Sequence, residues 1–216
     1  MAHELSTRLV TLVGHDSTPF EEIFAVEDSA VLPKGIKIIA ELQPAIAPKT
    51  YEFHLDKAVE IVKSDSTLVM LQIQDKTISR ENVEVEQMVE IVWRELDNLI
   101  GVSLPKVTQE QCRKIVTKIF IHLKSPENEE WFHITSPKVH STTYQYNITF
   151  IIQNEETGWL FYVIPMGLTI KVDLGMQKLF SIKLKDKVTY NIHVKALKIG
   201  AKVGSTINNG VEEVAS

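Results

Sequence analysis

Residues 140–153, HSTTYQYNITFIIQ, alternate large apolar and polar side chains almost without a break. At about 3.3 Å per residue such a run extends roughly 46 Å, whereas strands in globular proteins mostly stop near five or six residues. Thr142, Tyr144, Tyr146, Ile148, Phe150 and Ile152 share one side of it. Thr143, Gln145, Asn147, Thr149 and Gln153 share the other, with Ile151 the exception. Strand chemistry continues in 157–173 and 188–199, where Trp159 to Val163 is apolar on both faces and Leu168, Ile170 and Val172 alternate with Thr169, Lys171 and Asp173. A fold that holds these strands must cover one long oily face.

The front of the chain supplies covers. From Asn82 to Ile100, Val85, Met88, Val89, Val92, Leu96 and Leu99 lie on one helical stripe that ends at Gly101. A second helix is expected over 108–124, opening on Thr108 and Gln111 and carrying Cys112, Ile115, Val116, Ile119, Phe120 and Leu123. Strands are expected at 7–13, 51–55 and 67–74, and a short helix at about 19–29 from the Thr18, Pro19, Glu21 capping pattern. Ile36, Ile39, Ala40 and Gln43 have helical spacing up to Pro44. After residue 130 all reads as strand, EWFHI and KLFSIKLK included, with turns at NEETG and DLGM.

Nothing rich in Pro, Gly or Ser separates the helical front from the stranded back, and each half presents an apolar face that needs the other. The reading is one α+β domain over 1–200, helices packed on an antiparallel sheet, with 201–216 a flexible tail.

Motifs for chemistry are absent from the sequence. The seven histidines show no HxH, HxxxH or HExxH spacing, and one cysteine gives neither a disulfide framework nor a thiolate zinc site. Cys112 falls on an apolar helix face, where burial suppresses the thiolate. There is no GxSxG, GxxxxGK[ST] or strand-linked GxGxxG. No catalytic residue, cofactor or metal is expected. The amino terminus lacks the charged and apolar regions of an export signal, and no apolar run approaches eighteen residues, so the expected product is soluble and cytosolic.

A spanning β-strand needs about nine to eleven residues of alternating character, with aromatic residues near the interfaces, and closes in multichain barrels so that every backbone group is paired. Residues 140–153 and 159–172 meet that length. Net charge is −5, which argues against nucleic acid as a partner, yet the balance is uneven: residues 131–216 hold nine Lys and Arg against six Asp and Glu. Lys178, Lys183, Lys185, Lys187, Lys195 and Lys198 are candidates for anionic headgroups, or equally for keeping edge strands from pairing.

NEEWFHI (128–134), YQYNITFIIQNEETGWLFYVIPMGLTIKV (144–172) and VTYNIHVKALKI (188–199) resemble, in order, the Cyt family of cytolytic delta-endotoxins and the related volvatoxin-type fungal haemolysins. TRLVTL resembles that family's first strand, and 82–100 and 108–124 its two long helices. The resemblance implies an α-β-α sandwich, an antiparallel sheet flanked by two layers of helices, and a toxin without enzymatic activity. Such a toxin would bind phospholipid, move its helices aside, insert strands as a homo-oligomer, and form a dimer in solution. It would be stored, as a crystalline inclusion for example, or released to act at target membranes. Carried over by position, the inserting residues would be Tyr144, Tyr146, Ile148, Phe150, Ile152, Trp159, Phe161, Val163, Leu168, Ile170, Val172, Tyr190, Ile192 and Val194. Only six residues precede TRLVTLV, where family protoxins carry a longer extension whose removal activates them. A Cyt-like protein that binds lipid or carbohydrate without lysis remains the alternative.

Overall fold

A computed structural model describes residues 8–12 (backbone path), 19–26, 28–121, 123, 131–154, 156–157 and 160–203. In chain order the strands are β1 (Arg8–Leu12), β2 (Glu21–Val26), β3 (Leu68–Glu84), β4 (Phe132–Pro137), β5 (Thr142–Gln153), β6 (Leu160–Val172) and β7 (Lys187–Lys202). The helices are α1 (Val31–Leu42), α2 (Leu55–Ser64), α3 (Val85–Ile100), α4 (Lys106–Lys118) and the single-turn α5 (Met176–Leu179). The strands form one sheet in the order β1-β2-β5-β6-β7-β3, with β4 off this path beside β5. Along one edge of β5, residues 142–146 pair with β4 and 148–152 with β2. Every pair is antiparallel except β2 with β5.

Helices cover the sheet on both sides, and the parity of the residue number decides which side a strand residue faces. In β5, β6 and β7 the even-numbered apolar residues pack with Met88, Val92, Leu96 and Leu99 of α3 and Cys112, Ile115 and Val116 of α4. The odd-numbered apolar residues, Ile151, Phe161, Val163, Leu197, Ile199 and Ala201, pack with Ile38, Ile39 and Leu42 of α1 and Ala58 and Val62 of α2. Pairing such as Thr142 with Val172 and Val172 with Tyr190 keeps the parity constant from strand to strand. The long oily face therefore meets the two helices whose stripes match it.

Four sequence expectations differ from the structure. The expected helix at 19–29 is instead strand β2: Phe20 and Ile23 to Val26 are all buried, Phe24 toward one helix layer and Ile23 and Ala25 toward the other. An apolar run covered on both faces has no period to read. The expected strand 51–55 is a bridge of Ile46 with Phe53 followed by the start of α2. KLFSIKLK is α5 and its following turns, with Leu179 and Ile182 both buried. β3 is far longer than 67–74 because its second half, QDKTISREN, lies on a wet edge and needs no apolar alternation. The long helices begin and end within a few residues of expectation, except that α4 stops at Lys118 while Ile119, Phe120 and Leu123 stay buried beyond it. β7 reaches Lys202, two residues into the expected tail; residues 204–216 lie outside those described.

Candidate membrane-active strands

The three long strands have two different faces. On the even face, Tyr144, Tyr146, Ile148, Phe150 and Ile152 lie beside Leu168, Ile170 and Val172, and these beside Tyr190, Ile192 and Val194. None of these eleven is more than 5% exposed. Phe132 stacks edge-on to Tyr144 at 5.5 Å, and Phe120 to Tyr190 at 5.6 Å. The Tyr144 hydroxyl donates to the carbonyl of Ile119 at 3.0 Å, so even the polar tip of that ring is tied to the covering layer. Burial, then the neighbouring Tyr190, pushes the Tyr144 hydroxyl well above its ordinary pKa. Phe161 and Val163, expected with this set, belong to the opposite face. Trp159 lies outside the described residues.

The odd face changes character along its length. Near Gln153, Phe161 and Ile199 it is apolar beneath α1 and α2. Toward the other end it carries Gln145, Asn147, Thr149, Thr169, Lys171, Asn191, His193 and Lys195. Gln145 accepts from Thr169 at 2.9 Å, and Asn147 donates to the carbonyl of Tyr51 at 2.9 Å. The segment holding Tyr51 and Phe53 sits hard on the sheet: a Cβ at Gly167 would fall 2.4 Å from that of Phe53. Tyr51 itself has φ 57°, a conformation uncommon for a bulky residue, and its ring stacks on His133 at 4.5 Å.

The candidate lysines separate into three groups. Lys178, Lys183 and Lys187 are exposed, as is Lys185, which is paired with Glu84 at 3.6 Å and with Glu86. Lys195 is largely covered and bridges to Glu52 at 2.7 Å; that hydrogen-bonded ammonium holds the Glu52 carboxyl below its ordinary pKa. Lys198, also expected at headgroups, is instead buried in this structure, at 9% exposed. Its ammonium donates to the carbonyl of Ile100 at the end of α3 and sits 4.2 Å from the Tyr162 ring centroid, and desolvation lowers its pKa. A cation at a helix carboxyl end and over an aromatic face is favourably placed, so Lys198 joins α3 to the sheet. Nothing in the sequence distinguishes it from the other lysines.

Burial pushes the Cys112 thiol up to about 12, as expected of a structural cysteine. Among the described residues no three His, Cys, Asp or Glu side chains gather as metal ligands, and no helix is long and apolar enough to cross a membrane.

A family model described as Bacillus thuringiensis toxin matches residues 2–216. The chain belongs to this toxin family. Among relatives, the toxin is 24% identical over 221 residues to the type-1Aa cytolytic delta-endotoxin of Bacillus thuringiensis subsp. morrisoni, covering 98% of this chain and 89% of that protein. It is 27% identical over 191 residues to the type-2Ba cytolytic delta-endotoxin of subsp. israelensis, covering 88% and 72%. A solved delta-endotoxin superposes with a TM-score of 0.83 at 24% identity, over 94% of this toxin and 91% of that chain. The activated Cyt2Ba monomer from subsp. israelensis gives 0.80 at 27% identity, over 86% and 98%. The α+β sandwich and membership in a cytolytic toxin family agree with the resemblance read from the strand sequences.

Proposed function

We propose that this toxin breaches lipid bilayers: α3 and α4 leave the even face of β5, β6 and β7, and that face meets hydrocarbon while the strands assemble between copies of the chain. The observation that carries the reading is the parity-sorted sheet. Three adjacent strands of 12, 13 and 16 residues present one broad apolar face under α3 and α4, with Thr142 and Lys198 toward its ends, and a half-polar opposite face. A strand needs about nine to eleven residues to span, and its two faces must suit lipid and lumen.

Magnitudes say when the helices can leave. α3 buries eight side chains, and each large apolar one is worth about 1.5–3 kcal/mol. Peeling α3 away in water would cost on the order of 10–20 kcal/mol, comparable with or above the whole stability of a typical domain. The layer stays closed in solution, and only a medium that covers the exposed face offsets the loss. Apolar lipid is such a medium.

The test is release of a trapped dye from receptor-free phospholipid vesicles. Gln74 on β3 and Glu95 on α3 are in contact at 3.0 Å, so cysteines there, joined by a short bismaleimide, would pin the helix to the sheet. Leakage should fall at least tenfold in the pinned protein and return when a cleavable linker is cut. Leakage at the unpinned rate would rule out departure of α3, and vesicle flotation without leakage would favour the non-lytic binder.

A further inference from the structure

Large apolar side chains of the described residues stand out in solvent at few places, and the most exposed is Val139, at 82%. Met176, at 42%, the first residue of α5, lines the same hollow, although the two segments are well separated in sequence. One is the turn between β4 and β5; the other leads from β6 into α5. Both lie at the end of the sheet where β5 begins, β6 ends and β7 begins.

The loops are locked together. A Cβ at Gly175 would fall 2.5 Å from the carbonyl oxygen of Val139, so the two backbones are in direct contact. Thr142 donates its hydroxyl to the carbonyl of Leu174 at 2.7 Å, and the Lys138 amide donates to the Ser141 carbonyl at 2.8 Å. Val139 is thus held outward by a braced turn, and folding gains nothing from leaving it in water.

The rim is basic. Lys138, His140 and Lys178 line the hollow, and neither ammonium has an ion-pair partner among the described residues. The one acid in the lining, Asp173, accepts from the Thr189 amide at 2.8 Å. Lys183 and Lys187 are exposed on the adjoining connection, where Asp186 accepts from the Lys183 amide. Two exposed apolar side chains on one hollow, with Lys138 and Lys178 beside them, match the boundary between acyl chains and anionic phosphates.

Building on the bilayer-breaching reading, we propose that this two-loop end, residues 138–141 and 173–178, makes the first contact with an anionic phospholipid bilayer. Val139 and Met176 enter the headgroup–acyl boundary, and Lys138 and Lys178 meet lipid phosphates. The sheet then stands end-on to the bilayer, with all three long strands opening toward it.

The experiment compares flotation with phosphatidylserine–phosphatidylcholine vesicles and with phosphatidylcholine vesicles for wild type, V139D/M176D, K138E/K178E and V107D. Val107 is an exposed apolar control, at 64%, on α4. V139D/M176D should lose at least tenfold in binding and in leakage while melting like wild type. K138E/K178E should lose at least tenfold on the anionic vesicles alone, and V107D should bind normally. With Cys112 buried, V139C offers a single accessible thiol for an environment-sensitive dye, whose emission should shift blue on the anionic vesicles. Wild-type binding by V139D/M176D, or an unshifted dye on bound protein, overturns the docking end and leaves the cytolysin reading standing. Failure of wild type itself to bind and leak overturns both.

Discussion

β3, with 17 residues, and β5, with 12, are long strands of one sheet living under opposite conditions. β5 is central: after Thr143 every residue is buried, and its two edges are taken by β2, β4 and β6. β3 ends the sheet, pairs with β7 alone, and buries just Ile78 fully, leaving Val69, Leu71 and Ile73 about half exposed. Its bulges, between Met70 and Gln72 and between Arg80 and Val83, and charges such as Asp75, Lys76 and Arg80 make it a poor template for a neighbouring chain. Strand length alone therefore does not separate the strands proposed to insert from the rest. What sets β5 apart is an oily face that is complete and covered.

Substitutions can break or sharpen that contrast. The largest effect is expected from Phe150→Asp, which places a charge in the fully buried even face of β5. Loss of the cooperative melt by circular dichroism is the outcome, since an unpaired buried charge costs several kcal/mol. Phe150→Ala should cost about 3–5 kcal/mol and lower the melting temperature on the order of 10 °C. Gly167→Ala comes next: its methyl would collide with the Cβ of Phe53, which a rotamer change cannot move, and overpacking of this kind costs about 1–3 kcal/mol in denaturant titrations.

Smaller still is the effect of Lys198, read as stability against pH. Its folded pKa lies below the usual lysine value because burial disfavours the ammonium, so between the two values the unfolded chain binds more protons. Stability should gain from this group as pH rises from its folded pKa toward about 10.5, and Lys198→Met should remove that gain from the difference between the two melting curves. Glu52 acts at the acid end. Its folded pKa is lowered, so its contribution is complete above the ordinary carboxylate value and disappears as pH falls through the folded one. The Glu52–Lys195 pair is partly exposed, which limits the effect to under about 1 kcal/mol, measured as the acid-side difference between wild type and Glu52→Gln. Smallest of all, Leu71→Thr or Ile73→Thr on the wet edge should change stability by about 0.5 kcal/mol or less and leave leakage intact; a large loss of leakage would place β3 among the inserting strands.

The same contrast explains what could be read from the sequence. β5 is buried on both faces, yet its even face is apolar and its odd face, Ile151 apart, carries polar side chains from Thr143 to Gln153, so its two faces are legible in the sequence; the first half of β7 alternates buried with more exposed residues and reads the same way. The α3 stripe was legible because one side is wet. β2 was not: buried on both faces, it carries no period, its long partner β5 lies more than a hundred residues away, and a helix-capping pattern precedes it. β3 beyond residue 74 was not, because a solvated edge strand needs no apolar alternation. Phe161 and Val163 lie in a stretch that reads as apolar on both faces, so the sequence does not say which helix layer they meet; their odd numbers place them under α1 and α2. The burial of Lys198 depends on where α3 ends in space, and the pairing of Val139 with Met176 on two loops meeting; neither has a local signal.

One junction carries a mechanical consequence. β3 ends at Glu84 and α3 begins at Val85, with no connecting residue between them. A helix of 16 residues is about 24 Å long, so α3 is bound to the sheet margin like a page to a spine. If it opens, it does so by turning about its first residues, and the outer corner, where Lys198 grips Ile100, sweeps the widest arc.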